Sequence, residues 1–326
     1  MRPVQIFVDP VRMAQGRHTR KKRRQKRQRV YIGGQGTKRS VFVSMLANEG
    51  LGNQLFIFAA GLVAQKKTGL PLYVVPALNN IHSKKDYRDL FKVPTKVQIM
   101  EDANAKPRMN AANTLIELVD HHATAKWSNA NIKYNSASPK NVKMPGRLFQ
   151  NYSAVKSVIP VVKDTLKTNE FSKSQYREIE KNTPSASAFI HIRRGDYNTK
   201  GWALDQDYYL RGIDELEKDP NIQTIWIISS DLEWCKTVPW TTHTKKPIEY
   251  YDSRNELEVL YKMMLCDAGA VLSASTFSAW GAMLGADLNP RQVTIVYPIS
   301  WLTHDADGDN PLEFPEKWVA IPNSVA

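Results

Sequence analysis

The hydrophobic pattern of the first half of the chain predicts the start of an α/β domain. Val41–Leu46 is a short apolar run that is typical of a buried strand. A turn with the sequence NEGLGN follows, and apolar residues then recur at helical spacing over Gln54–Lys67 until Gly69 predicts the helix end. Leu70–Val75 predicts a second strand.

The apolar groups between Pro76 and about Pro145 are short and are interrupted by Asn, Lys and Pro. No element is predicted there, and the segment suits loops that line a binding site.

The second half alternates strand patterns with helix patterns. The predicted strands are Ala186–Ile192, Thr224–Ile228, Ala270–Leu272 and Val293–Val296, and the predicted helices are Gln206–Glu217, a short helix from Asp231, Asn255–Cys266 and Phe277–Gly285. This alternation predicts mostly parallel sheets, because parallel neighbours need a crossover connection. We therefore predict two Rossmann-like α/β domains, 41–165 and 166–326, joined near residues 155–180.

Charged and hydroxyl side chains follow three of the predicted strands. After the first comes His191–Tyr197, whose two arginines suit phosphate oxygens because a guanidinium binds two of them at once. A surface turn with ordinary ion pairs is the alternative. Ser273–Ser278 joins a strand to a helix start, which is either a phosphate seat or a simple cap. Ser229–Cys235 holds Asp231, which could cap a helix or bind a ribose or a base edge. Since carboxyl ends of parallel strands form one crevice, the three groups predict a nucleotide-linked anion there.

The net charge of +13 is concentrated at the start of the chain. Residues 1–40 hold 13 Lys and Arg against Asp9, so the remaining chain is close to neutral. The run at residues 17–29 lacks apolar residues, and we predict a disordered basic tail at 1–40 that could contact an anionic partner such as nucleic acid or acidic lipid.

Cys235 and Cys266 are predicted to be reduced core thiols. No secretory or bilayer-spanning run is present, which predicts a cytoplasmic protein without a transmembrane segment.

At five places, in the same order, the sequence resembles glycosyltransferase family 11, the family of α-1,2-fucosyltransferases. The matching segments are Gly50–Phe56, Arg147–Tyr152, His191–Tyr197, Ser229–Lys236 and Leu265–Gly281. The resemblance covers roughly residues 41–320 and implies a GT-B-like pair of domains that face a cleft, with the acceptor on the N-terminal side and GDP-fucose bound by the C-terminal one. It also implies inverting transfer of fucose to a sugar hydroxyl, most simply O2 of a galactose-type acceptor, with no metal or other cofactor.

The resemblance also implies roles for individual residues. The donor-binding residues carried over by position are His191, Arg193, Arg194, Asp231, Ser275, Thr276 and Phe277, and the cleft residues are Asn53 and Gln54. Arg193 is expected to hold the β-phosphate of GDP, with Arg194 supporting it or the fold. His191 and Asp231 are expected near the guanosine.

The catalytic base is left open between Asp196 and Glu49, and Asp196 could equally be a structural partner of Arg194. Three departures from the family pattern bear on acceptor and linkage more than on the donor. Glu49 stands where the family usually has glycine, Ser230 replaces the first Asp of an SDD segment, and Ala279 replaces a Trp.

Three other enzyme or binding classes are alternatives. A metal-dependent transferase could use the DxDxD spacing at Asp305–Asp309, although a solvated turn is the simpler interpretation of that segment. A nucleic-acid- or acidic-surface-binding protein could act through the basic tail, with an inactive transferase body. A sugar-binding module without catalysis is a third alternative, and the intact Arg193 argues against it.

Overall fold

The computed structural model describes residues 39–77, 87–92, 97–110, 113–114, 140–144, 148–301 and 312–324. From Ser40 onward the chain is one compact unit that contains two sheets. Residues 1–38 of the predicted tail and the Asp305–Asp309 segment lie outside the described residues. The domain boundary near residue 165 stays a prediction.

The first sheet is built from the N-terminal part of the chain. Its strands are β1 Val41–Ser44, β2 Leu72–Val75, β3 Val97–Ile99, β4 Asn113–Thr114 and β5 Val142–Lys143. They lie in the order β3-β2-β1-β5-β4, and every neighbouring pair is parallel. The predicted strands at 41–46 and 70–75 are β1 and β2. The other three fall in the segment where the sequence pattern predicted nothing.

The second sheet holds the predicted strands of the second half and adds two. Its strands are β6 Ser187–Ile192, β7 Thr224–Ser229, β8 Ile248–Tyr251, β9 Gly269–Val271, β10 Thr294–Pro298 and β11 Val319–Ile321. The order is β11-β10-β9-β6-β7-β8, again with parallel neighbours throughout. Strand β6 is buried along its whole length, as expected of a central parallel strand that is covered on both faces.

Helices cover the two sheets and join them. The helices are α1 Leu51–Thr68, α2 Asp102–Asn110, α3 Tyr152–Val155, α4 Ile159–Thr168, α5 Lys173–Lys181, α6 Asp196–Lys200, α7 Gln206–Glu217, α8 Leu232–Thr237, α9 Glu256–Leu265 and α10 Thr276–Leu284. The predicted junction at 155–180 is mostly helical. Tyr261 on α9 donates a hydrogen bond to the Leu166 carbonyl at 3.1 Å, which fastens this junction to the second half.

The two halves share one hydrophobic core. Phe56 on α1 packs against Trp280 on α10 with ring centroids 5.0 Å apart, and both side chains are fully buried. Cys235 and Cys266 are free, buried thiols, as predicted. The predicted α/β fold with two parallel sheets is confirmed, and the contact between α1 and α10 brings the first turns of these helices together.

Candidate functional site

The first turns of α1 and α10 lie against each other and neither has a side-chain cap. Gly50 precedes α1 and Ser275 precedes α10, both in extended conformations. Gly50 has no side chain that could cap α1, and the Ser275 side chain accepts no hydrogen bond from α10. The sequence pattern placed the start of α1 at Gln54, but the helix begins at Leu51, so residues expected in a turn belong to its first turn. Backbone N–H groups at a helix start carry partial positive charge and bind anions.

Gly52 allows this close approach. A Cβ atom at this position would lie 2.5 Å from the Phe277 backbone nitrogen and 2.8 Å from its Cα atom. Backbone atoms cannot rotate away as a side chain can. Gly52, the second glycine of the GLGN segment, is therefore needed so that the two helix starts can meet.

Replacing Gly52 with alanine is expected to lower the free energy of unfolding by about 1–3 kcal/mol, because the added methyl group overpacks against fixed backbone. Gly61→Ala on the same helix is the matched control, since its Cβ would meet the ends of the Val43 and Leu72 side chains at 3.0–3.2 Å. Urea denaturation should show a clear loss for Gly52→Ala and a much smaller change for Gly61→Ala. Equal losses would contradict the tight approach.

Asn53 joins the two halves at the same point. Its side-chain amide donates to the Glu49 carboxylate, and its Oδ1 accepts hydrogen bonds from Gln150 Nε2 at 2.7 Å and Thr276 Oγ1 at 2.8 Å. The predicted cleft residue Gln54 is buried below the turn, where its Nε2 donates to the Leu46 carbonyl at 2.6 Å. Asn53 therefore faces the cleft, whereas Gln54 braces the loop that leads into it.

Arg193 follows the last residue of β6, where the chain turns at Gly195. Gly195 has φ of +60°, a conformation that favours glycine, and α6 begins directly after it. Asp196 thereby faces back and accepts from Arg193 Nη2 at 3.0 Å, and its second oxygen contacts Lys200 Nζ at 3.4 Å. Asp196 is thus the partner of Arg193 and not, as one interpretation of the sequence had it, of Arg194.

These elements enclose a cavity of about 380 Å³, which we name the first cavity. Its walls include the two uncapped helix starts and the cations Arg193 and Lys200. Among the site residues predicted from the sequence, those that line it are Glu49, Asn53, Arg193, Asp196, Ser275, Thr276 and Phe277. Two of its acids have partners on the same wall: Asp196 pairs with the cations and Glu49 with Asn53. The arrangement suits a diphosphate group between the helix starts.

A second cavity of about 210 Å³ adjoins the first along the carboxyl ends of β6, β7 and β8. His191 lines it from the end of β6, with Nδ1 3.0 Å from Ser273 Oγ and its ring against that of Phe277. Burial, reinforced by the charge of Arg193, lowers the pKa of His191 from 6.5 to about 3. The imidazole is therefore neutral at pH 7 and is suited to a neutral hydrogen-bonding partner such as a base.

Folding stability is expected to fall in acid because of His191. The unfolded chain binds a proton near pH 6.5 and the folded chain only near pH 3, so the unfolded state gains protons first as the pH falls. Above pH 6.5 the titration of His191 therefore leaves the free energy of unfolding unchanged. Between pH 6.5 and about pH 3 this free energy falls with decreasing pH, by up to ~1.4 kcal/mol per pH unit. Urea titrations at pH 4–7 should show a shallower pH dependence for His191→Gln; equal slopes would contradict a neutral buried His191.

Arg194 and Asp231 form a separate pair beside the cavities. Arg194 Nε lies 3.2 Å from Asp231 Oδ2, and the guanidinium stacks on the Trp234 ring at 4.1 Å. Asp231 also caps α8 by accepting from the Trp234 backbone at 3.2 Å, which is the capping role that the sequence left open. Neither residue lines either described cavity. A donor contact for Arg194 or Asp231 stays a prediction.

The structure adds site residues that the sequence did not single out. They are Gln150, Tyr197, Lys200, Trp202, Glu256 and Trp301, all of which line the first cavity. Gln150 and Tyr197 stand inside segments that carry the family resemblance, so their position was the available signal. Glu256 follows β8, a strand that the sequence pattern did not predict, and it therefore had no strand end to mark it.

Neither a metal cluster nor a membrane helix occurs in the described part of the chain. No group of three His, Cys, Asp or Glu residues there could hold a metal ion. No helix within those residues combines the length and apolar character that a bilayer crossing needs. The basic run 17–29 and its anionic partner fall outside the described residues and stay predictions, as does cytoplasmic location.

Comparison with known proteins identifies relatives in both sequence and fold. The family model described as glycosyl transferase family 11 matches residues 147–307. Two curated Escherichia coli proteins are each 32% identical, an alpha-1,2-colitosyltransferase over 143 residues and the O-antigen biosynthesis glycosyltransferase WbnK over 122 residues. The alignments cover 41% and 34% of this chain and 47% and 38% of those proteins, so the chain matches less than half the length of either.

Two solved structures share the fold at low sequence identity. NodZ alpha-1,6-fucosyltransferase, soaked with GDP-fucose, has a TM-score of 0.51 at 11% identity. The match covers 76% of this chain and 93% of the NodZ chain. POFUT1 in complex with GDP has a TM-score of 0.50 at 13% identity, and the match covers 80% of this chain and 98% of the POFUT1 chain. These values support the fold alone. The chain is thus a GT-B-like α/β protein with two parallel sheets. Within that class, its predicted resemblance to glycosyltransferase family 11 is confirmed, and residues 147–307 carry it.

Proposed function

We propose that this protein is a fucosyltransferase that binds the diphosphate of GDP-fucose in the first cavity. The observation that carries the proposal is the meeting of two uncapped helix starts with Arg193 on one cavity wall. Partial positive charge from both helices and the full charge of the guanidinium converge on one place. A diphosphate is the leaving group for which this arrangement is suited.

The proposed reaction is an inverting displacement at the fucosyl anomeric carbon. As the bond to the β-phosphate breaks, negative charge grows on GDP, and Arg193 is held next to it by Asp196. A fixed cation stabilises this developing charge more strongly than it stabilises the intact donor. The backbone N–H groups in the uncapped first turns of α1 and α10 also stabilise this charge, and they are already in place before the bond breaks.

Glu49 is the proposed general base and Asp196 the group that positions Arg193. In an inverting displacement the acceptor hydroxyl attacks from the side opposite the leaving group. Glu49 precedes α1 on the first half, whereas Arg193 and Asp196 follow β6 on the second half, and all three line the first cavity. The Asn53 amide donates to the Glu49 carboxylate and so holds it at the cavity wall.

The proposed acceptor is a galactose-type sugar with transfer to O2, which gives an α-1,2 linkage. Support comes from the α-1,2 specificity in the name of the colitosyltransferase relative. Aromatic rings of Trp202 and Trp301 line the first cavity and offer apolar faces against which a sugar ring can stack.

We propose that transfer needs no metal, since Arg193 and the helix starts supply the positive charge that a metal ion would provide. The test is to incubate the protein with GDP-fucose, GDP-mannose or UDP-galactose across a panel of galactosides, with and without EDTA. Transfer from GDP-fucose that persists in EDTA is the expected result. Transfer that is lost in EDTA and restored by Mn²⁺ would overturn the metal-free mechanism, and transfer only from another donor would overturn the donor assignment.

A further inference from the structure

The two cavities share three lining residues, Arg193, Glu256 and Phe277. These residues therefore mark the boundary between the helix starts of the first cavity and the strand ends of the second. A nucleoside diphosphate is a chain of base, ribose and phosphates in that order. With its phosphates in the first cavity and its base in the second, its ribose lies at this boundary.

Glu256 is the first residue of α9, where its charge favours the helix start, but other side chains make the hydrogen bonds that cap this turn. Asn255 caps the helix by accepting from the Leu257 backbone at 3.2 Å. Glu258 braces the same turn by accepting from Ser253 Oγ at 2.8 Å and from Asn255 Nδ2 at 3.0 Å. Among the described residues, the Glu256 carboxylate has neither a hydrogen-bond nor an ion-pair partner, and the residue is partly exposed and lines both cavities.

The charge of Glu256 restricts what it can bind. An ionised carboxylate only accepts hydrogen bonds, and it repels a phosphate. The phosphates have Arg193 and the helix starts as partners, so the group that meets Glu256 must be a neutral donor. Two neighbouring ribose hydroxyls can each donate to one of the two carboxylate oxygens.

We propose that Glu256 binds the 2′ and 3′ hydroxyls of the donor ribose and so selects ribonucleotide over deoxynucleotide donors. This inference rests on the proposed function, because it requires a nucleoside diphosphate in the two cavities. The guanine edge also carries neutral donors, and the comparison with IDP distinguishes a contact with the base from a contact with the ribose.

The test compares binding of GDP, 2′,3′-dideoxy-GDP and IDP to the full chain by calorimetry. The wild-type protein is expected to bind GDP about 10- to 100-fold more tightly than dideoxy-GDP, since the missing hydroxyls leave a carboxylate without its charged hydrogen bonds. Glu256→Gln is expected to bind GDP more weakly and to lose most of this discrimination. IDP lacks the 2-amino group of guanine but keeps both ribose hydroxyls, so it should lose as much affinity in the variant as GDP does.

Glu233→Gln is the matched control, because Glu233 is also an acid in the first turn of a helix but is exposed and pairs with Lys236. It should keep wild-type discrimination, and both variants should unfold at similar temperatures. If Glu256→Gln retains full discrimination between GDP and dideoxy-GDP, the inference is wrong. If Glu256→Gln instead loses a preference of the wild-type protein for GDP over IDP, Glu256 binds the base, and the inference is also wrong. Absence of GDP binding by the wild-type protein would overturn the proposed function itself.

Discussion

Replacing Arg193 with alanine is expected to lower kcat for fucosyl transfer by about 10²–10³-fold, or about 3–4 kcal/mol of transition-state stabilisation. Arg193 is the cation on the cavity wall that the β6 turn and Asp196 hold in place. Its removal leaves the charge that develops on GDP to the helix starts and Lys200. GDP binding should weaken less than kcat falls, because the interaction strengthens as the bond breaks. Steady-state kinetics and GDP calorimetry on the same variant separate the two effects.

Two further arginine variants make this result specific. Arg193→Lys keeps the charge but loses the two-pronged contact, so an intermediate loss is expected. Arg291→Ala is the matched control, since Arg291 pairs with Asp219 at 3.2 Å but lines neither cavity. It should leave kcat unchanged. An Arg193→Ala protein that turns over as fast as the wild type would remove the leaving-group role from Arg193.

Replacing Glu49 with glutamine is expected to lower kcat by about 10²–10⁴-fold while GDP affinity changes little. The amide keeps the size of the side chain but cannot take the proton from the acceptor hydroxyl. The nucleotide should be unaffected, because Glu49 belongs to the opposite half from Arg193. Initial rates at saturating donor and acceptor, together with GDP calorimetry, measure both quantities.

Asp196→Asn distinguishes the two candidate carboxylates. Its amide loses the ion pairs with Arg193 and Lys200, so both GDP affinity and kcat are expected to fall. Glu101→Gln is the control for Glu49, since Glu101 pairs with Arg88 on the same half and lies outside the first cavity. If Asp196→Asn greatly lowers kcat without changing GDP affinity, and Glu49→Gln does not lower kcat, then Asp196 is the base and Glu49 is not.

The second half of the fold could be predicted because its strands are continuous apolar runs. Strand β6 is buried along its whole length, and between Ser187 and Arg193 only His191 interrupts its apolar residues. Strand β8 was missed because its residues Glu249 to Tyr251 are exposed or only partly buried at the sheet edge, so that its pattern is mixed. The strands β3, β4 and β5 are only two or three residues long, which is too short to establish a period.

The candidate site was predictable where local sequence sets local geometry. Arg193 and Ser275 follow strand ends, and the switch from apolar to polar residues marks them. The link from Asn53 to Thr276 joins residues 223 positions apart, and no local pattern contains it. The pairing of Arg194 with Asp231 likewise depends on β6 and β7 being neighbours. Glu256 is a candidate because it lines both cavities, and no local sequence pattern contains that position.

The most direct test of the central claim is a crystal structure of the protein with GDP. The account predicts the diphosphate in the first cavity, with phosphate oxygens within hydrogen-bond distance of the Arg193 guanidinium and of backbone N–H groups in the first turn of α10. It also predicts the base in the second cavity beside His191. GDP bound elsewhere, or bound with its diphosphate away from both helix starts, would contradict the claim.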